Sequence, residues 1–217
     1  MKITGITTRI VRRSSELWYA PNPIPPGYCP YFDFPLTTIF TDEDIEGYTM
    51  DYCPLGQGRA SAKAIHDIYY YDLVGKDPLN HEAIWQNFRT KQRHLYNFRE
   101  TLWGNLDVAL WDIKGKVADM PIVTMLGKYR DKVPVYSSCP PQSVSTLEDV
   151  AEQVRIKKEK GFKGVKLQLS GGSETDIPKL QKAREIAGPG FPLMLDSSAI
   201  LSFEDALKIG YELDELK

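Results

Sequence analysis

The chain has 217 residues, of which 42% are hydrophobic and 26% charged, with a formal net charge of −2. Such a balance suits a globular protein of one or two domains. It carries no electrostatic footprint for nucleic acid or an anionic membrane, and no apolar run is long enough to span a bilayer.

The start, "MKITGITTRIVRR", alternates and lacks the apolar core of a signal peptide, so it is predicted as a strand. "LTTIFTDEDIEGYTMD" continues an antiparallel sheet, with Gly47 expected near a bend or bulge. Between them, residues 14–35 are rich in proline and aromatics without a helical period. A loop of that length is usually functional. "CPLGQG" at 53–58 reads as a second Pro/Gly loop. Cys29, Cys53 and Cys139 are widely spaced with no CxxC pair, which predicts free thiols in a reducing cytoplasm.

Helices follow. "ASAKAIHDIYYYDLVG" ends at Gly75, and Asn80 is placed to cap "HEAIWQNFRTKQRHL". "ETLWGNLDVALWDIKGKVADM" spaces Leu102, Leu106, Leu110, Ile113 and Val117 as one apolar stripe. His66, His81 and His94 fall in this helical part without metal-ligand spacing and are expected to be structural.

Beyond residue 130, strands and helices alternate. "VPVYSS", "GVKLQL" and "PLMLDSS" are predicted strands. "STLEDVAEQVRIKKEKG", with Ser145 and Glu148 as a capping box, "ETDIPKLQKAREIAG", with Pro178 in its first turn, and "SFEDALKIGYELDEL", opened by Ser202 with Asp205, are predicted helices. Three βα units imply a parallel sheet covered by helices, and ligands gather at the carboxyl ends of such strands. Those ends are polar: Ser137 and Ser138, then Lys166 and Gln168, then Asp196 and Ser198. A buried carboxylate beside such an apolar run needs a cation, and Lys166 or a metal ion could supply it. "SGGS" at 170–173 is a weak anion-nest signal.

Four stretches together resemble the mandelate racemase/muconate lactonizing enzyme family of the enolase superfamily: "MKITGITTRIVRR", "NLDVALWDIKGKVADMPIVTMLG", "DKVPVYSS", and "GFKGVKLQL" with "FPLMLDSS". The resemblance implies an α/β fold, with an α+β capping domain at 1–129 and the first three βα units of a (β/α)8 TIM-type barrel at 130–217. It implies Mg²⁺-assisted removal of the proton α to a substrate carboxylate, giving an enediolate. By the same resemblance Asp196 is the first metal ligand and Lys166 the catalytic residue of a Lys-x-Lys position. Trp18, Tyr19, Ser138, Gln168 and Ser198 are then substrate-binding residues. The loops around 14–35 and 53–58 shape the pocket.

The chemistry suits these residue types. A hard divalent cation held by carboxylates stabilises a developing enediolate, and a lysine base needs a lowered pKa.

Gln168 departs from the family pattern, since an amide cannot accept the proton. The base could lie on a later strand, Lys166 could act as base or carboxylate clamp, or activity could be lost. The first reading is preferred and points to an acid-sugar dehydratase. A racemase, epimerase or cycloisomerase of the same family, or a ligand-binding remnant, is the alternative. A Schiff-base aldolase is a more distant one. A full barrel needs eight βα units and about 250 residues. The chain is therefore expected to be a truncated form of a longer homo-oligomeric parent, inactive alone, with the other metal ligands beyond Lys217.

Overall fold

The computed structural model describes residues 1–15, 29–53, 56–94, 101–141, 145–169, 172–197 and 201–216. Contacts divide them into two compact units, one built on Met1–Ser15 and the segment that ends at Asp131, the other starting at Lys132.

The first unit opens with a three-stranded antiparallel sheet, β1 (Ile3–Ser14), β2 (Tyr31–Thr41) and β3 (Glu46–Met50), in that order. β2 begins earlier than the sequence predicts: "YFDFP" is strand, paired from Ser14↔Tyr31 onward. Its buried side is Asp33, Pro35, Thr37, Ile39 and Thr41. Pro35 is tolerated in this central strand because β3 stops pairing at Leu36↔Met50. Beyond it Pro35 still accepts from the Asp51 N–H at 3.0 Å and forgoes only its own donor, before Asp33 bridges Cys53.

Gly47 is not at a bend. It lies in continuous register within β3, opposite Ile39. Its role is close approach, since a Cβ there would sit 2.1 Å from the carbonyl oxygen of Ala109.

Helix α1 (Gly58–Ala64) runs through a π-helical turn (Ile65–Tyr69) into α2 (Tyr70–Leu73). Then come α3 (His81–Gln92), α4 (Thr101–Val117) and the short α5 (Ile122–Met125). The predicted stripe of α4 is buried at Leu102, Leu106, Ala109, Leu110 and Ile113, whereas Val117 is exposed. With Ile3, Ile6, Ile39, Tyr69, Leu73 and Phe88 these residues form the core of the unit. Asn80 occupies the N-cap of α3 but its side chain makes no capping bond.

The second unit holds a parallel sheet of β4 (Ser137–Pro141), β5 (Val165–Gln168) and β6 (Leu193–Asp196), in that order. Helices α6 (Leu147–Glu159), α7 (Ser173–Ala187) and α8 (Phe203–Glu215) alternate with them. β4 starts later than predicted; Val133, Val135 and Tyr136 are exposed, and pairing begins only where the Ser137 N–H meets the Gly164 carbonyl. The capping box of α6 is Thr146 with Asp149, one residue on from the predicted Ser145 and Glu148.

Pro178 lies in the second turn of α7, not the first, because the helix already begins at Ser173. That early start is held from outside: Asp205 accepts from the Ser173 N–H at 2.9 Å and from its hydroxyl. Val165, Leu167 and Leu169 pack with Val150, Val154, Leu180 and Ala183 as the core of this unit.

Candidate active site

Strand β5 puts its two kinds of side chain on opposite faces. Val165 and Leu167 are buried, while Lys166 and Gln168 are half-buried on the other side. Parallel register then decides their neighbours. Ser138, Lys166 and Met194 share one row, and Pro141, Gln168 and Asp196 share the next. β5 and β6 are tied at their ends by the Leu169 N–H donating to the Asp196 carbonyl at 2.9 Å.

The outcome is an ion pair. Lys166 Nζ stands 2.8 Å from Asp196 Oδ2, with the two side chains 25% and 38% exposed. The Lys166 ammonium also stands 6.0 Å from the centre of the Tyr136 ring, at the outer limit of a cation–π contact. Hydrogen bonding to Asp196 raises the lysine pKa above its ordinary value, outweighing the opposing effect of burial. In this arrangement Lys166 is an ammonium, equipped to hold an anion. That is the reverse of the lowered pKa a lysine base would need. Tyr136 was not singled out in the sequence; its only signal is the alternation of "VPVY" ahead of the strand.

Ser138 is exposed and lies in the Lys166 row. The register thus brings Ser138, Lys166, Gln168 and Asp196 to one end of the sheet. Trp18, Tyr19 and Ser198 lie outside the described residues. The anion-nest signal at 170–173 is answered at Ser173, whose N–H and hydroxyl both bind Asp205. Those bonds and one from the Ser202 hydroxyl hold the Asp205 carboxyl down at about 2.

Magnesium takes oxygen donors, commonly one or two carboxylates with waters and substrate oxygens. Asp196 is such a donor: a hard carboxylate at a strand end, more than a third exposed, matched by a cation in place. Among the described residues no three His, Cys, Asp or Glu side chains stand together as a metal-binding group. The described residues fit the ion through this one carboxylate.

The first unit contains a pairing invisible in sequence spacing. His81 Nε2 lies 3.0 Å from Asp107 Oδ1, joining α3 to α4 beneath Trp111. Burial pushes the Asp107 carboxyl up, against the opposing pull of His81. The three cysteines are free thiols, and burial pushes Cys139 up to about 11. Among the described residues no helix is long and apolar enough to cross a membrane.

Two family models match the sequence. The mandelate racemase/muconate lactonizing enzyme N-terminal domain covers residues 32–127, and the enolase C-terminal domain-like model covers 149–217. L-talarate/galactarate dehydratase of Salmonella typhimurium is 28% identical over 186 residues, covering 83% of this chain and 46% of the relative. D-galactarolactone cycloisomerase of Agrobacterium fabrum is 30% identical over 161 residues, covering 72% of this chain and 42% of the relative. The chain thus spans less than half the length of these curated relatives. The crystal structure of D-glucarate dehydratase from Agrobacterium tumefaciens, complexed with magnesium, superposes with a TM-score of 0.80 at 26% identity, covering all of this chain and 59% of that one.

Proposed function

Because the chain belongs to the mandelate racemase/muconate lactonizing enzyme family of the enolase superfamily, we propose that it carries part of the active site of a Mg²⁺-dependent acid-sugar dehydratase. The observation that carries this reading is the Lys166–Asp196 pair, 2.8 Å apart at the carboxyl ends of adjacent parallel strands.

Substrate binding divides the pair's two charges. The Lys166 ammonium takes the substrate carboxylate, which replaces the Asp196 oxygen it now holds. Asp196, so released, would be the carboxylate of this set to hold Mg²⁺. A bound Mg²⁺ supplies positive charge where negative charge builds as the α-proton leaves. Gln168, in the Asp196 row, hydrogen-bonds the substrate and neither gives nor takes the proton. Ser138, beside Lys166 in register, offers a hydroxyl to the same carboxylate. Trp18, Tyr19 and Ser198 are assigned to substrate contacts on the resemblance alone. The proton is taken by a group outside this set.

The relatives are about twice as long, and turnover is assigned to the assembly of these residues with later barrel strands. The similarity to D-galactarolactone cycloisomerase supports a second reading, in which the same proton removal leads to ring opening.

One assay separates these readings. The polypeptide is incubated with Mg²⁺ in D₂O and with galactarate, glucarate, galactonate, arabinonate or D-galactarolactone, alone and after fusion to the later barrel strands of L-talarate/galactarate dehydratase. Proton NMR follows α-proton exchange and product. The fusion is expected to dehydrate at least one acid sugar, with activity lost on chelation and in Asp196→Asn, and the polypeptide alone to be silent. A folded, Mg²⁺-binding fusion that exchanges no α-proton rules the reading out. A lactone-opening product selects the cycloisomerase.

A further inference from the structure

A second pair of ionisable side chains lies in the first unit and takes no part in that chemistry. His81 opens α3, and Asp107 lies in α4. The facing atoms, His81 Nε2 and Asp107 Oδ1, are 3.0 Å apart. Both are sealed from water, and neither makes an aligned hydrogen bond. Buried polar atoms left in that state are costly. One proton between them removes the cost, because Nε2–H can then donate to the carboxylate as a charge-assisted bond.

The surroundings confine the effect to one end of α3. The Trp111 ring stands edge-on to His81, with 4.8 Å between centres. Further along, Trp85 and Phe88 of α3 meet Trp103 of α4, with ring centres 6.2 and 5.4 Å apart. Those ring contacts carry no titratable group. The start of α3 is thus tied to α4 by a polar pair and its middle by apolar packing. A helix N-terminus also disfavours an imidazolium, so Asp107 is what makes a protonated ring tenable there.

The other charges on these elements are engaged elsewhere. Asp77 accepts from the Leu79 N–H at 2.9 Å, Glu82 accepts from Gln86 at 2.9 Å, Asp112 pairs with Lys116, and Lys114 lies 4.5 Å from the centre of the Trp111 ring. Burial pushes the Asp107 carboxyl up, while His81 and a hydrogen bond from Trp111 pull it down.

We propose that His81 and Asp107 form a proton-operated clasp between α3 and α4, closed when the pair holds a proton and loosened when it gives that proton to water. Imidazole is the side chain whose charge changes between about pH 5 and 8. The two side chains, 14% and 24% exposed, lie near enough to the surface to trade the proton with solvent. A carboxyl with a raised folded-state pKa binds its proton more readily folded than unfolded, so this contribution to stability is lost as pH rises. The clasp does not depend on the acid-sugar chemistry.

The Ile84 N–H closes the first turn of α3 on the Asn80 carbonyl at 3.1 Å. Amide hydrogen exchange of the 217-residue chain, corrected for the intrinsic pH dependence of exchange, is compared at about pH 6 and about pH 8. Protection at Ile84 and Trp85 should fall about tenfold at the higher pH, while Phe88, Leu106 and Leu110 stay unchanged. Asp107→Asn and His81→Gln should each remove the difference between the two pH values. Carbon and nitrogen NMR of the wild type gives a readout that needs no variant. The Asp107 carboxyl carbon and the His81 ring nitrogens should change shift together across one pH interval. Equal protection at both pH values, a loss spread evenly over the unit, a difference that survives in both variants, or two signals that titrate independently overturns the clasp.

Discussion

Asp33 and Asp196 are both strand carboxylates paired with a cation, yet they are held in opposite ways. Asp33 is fully buried, with a two-pronged guanidinium and a backbone N–H on its oxygens. Asp196 is 38% exposed, and its partner is a single-point ammonium on a flexible stem. The difference separates a structural charge from an exchangeable one. Opening the Asp33 site strands a buried donor. Opening the Asp196 site returns both charges to water at little cost, the condition for trading one partner for a metal and the other for a substrate carboxylate.

The largest effect expected from that contrast is on activity. Lys166→Ala should lower turnover of an active fusion by about 10²–10³-fold, the scale of losing one charge-stabilising donor, with the melting temperature hardly changed. A comparable loss of stability would place Lys166 with Asp33, as a structural charge. Next is Asp33→Ala, which should destabilise the first unit by at least the roughly 1–3 kcal/mol of a stranded buried donor, read by chemical denaturation.

Smaller again is an acid effect at Asp205. Its folded-state carboxyl is held down at about 2, below the ordinary value of 3.8. A depressed carboxylate stabilises the fold above its unfolded pKa and loses that contribution as pH falls through the folded one. Stability should therefore decline between about pH 4 and 2, and Asp205→Asn should flatten the melting curve in that window. At the bottom of the scale is Arg155, which pairs with Glu152 and Glu159 on the exposed face of α6. Arg155→Ala should leave thermal stability unchanged within error, as surface pairs do.

Much of the second unit was legible because its signals are local. Alternation marked β5, the βα pattern placed β6, Ser202 and Asp205 opened α8 as predicted, and the shared face of Lys166 and Gln168 followed from the period of two. What failed was also local in scale. The α6 capping box moved one residue because Thr146 and Asp149 repeat, one position on, the spacing that Ser145 and Glu148 offer. "VPVY" has a strand's pattern but pairs only from Ser137.

The first unit was harder to read. Its decisive contacts join residues 21 to 26 positions apart: Arg12 with Asp33, Asp33 with Gly58, His81 with Asp107. Such pairs depend on strand register and helix packing, which no spacing rule encodes. Asp33 itself lay in a stretch read as loop, because its prolines and aromatics show no regular period. Gly47 was seen as special for the wrong reason, since the carbonyl that excludes a side chain there belongs to α4, 62 residues away.

The contrast between the two carboxylates can be tested with a cation alone. Manganese(II), a paramagnetic stand-in for magnesium, is titrated into the isotopically labelled 217-residue chain while amide line widths are followed. Broadening should centre on residues 166–168 and 194–197, vanish in Asp196→Asn, and leave the signals around Asp33 and Asp205 sharp. Broadening that persists in Asp196→Asn, or that centres on Asp33, would show that Asp196 is not the exchangeable carboxylate.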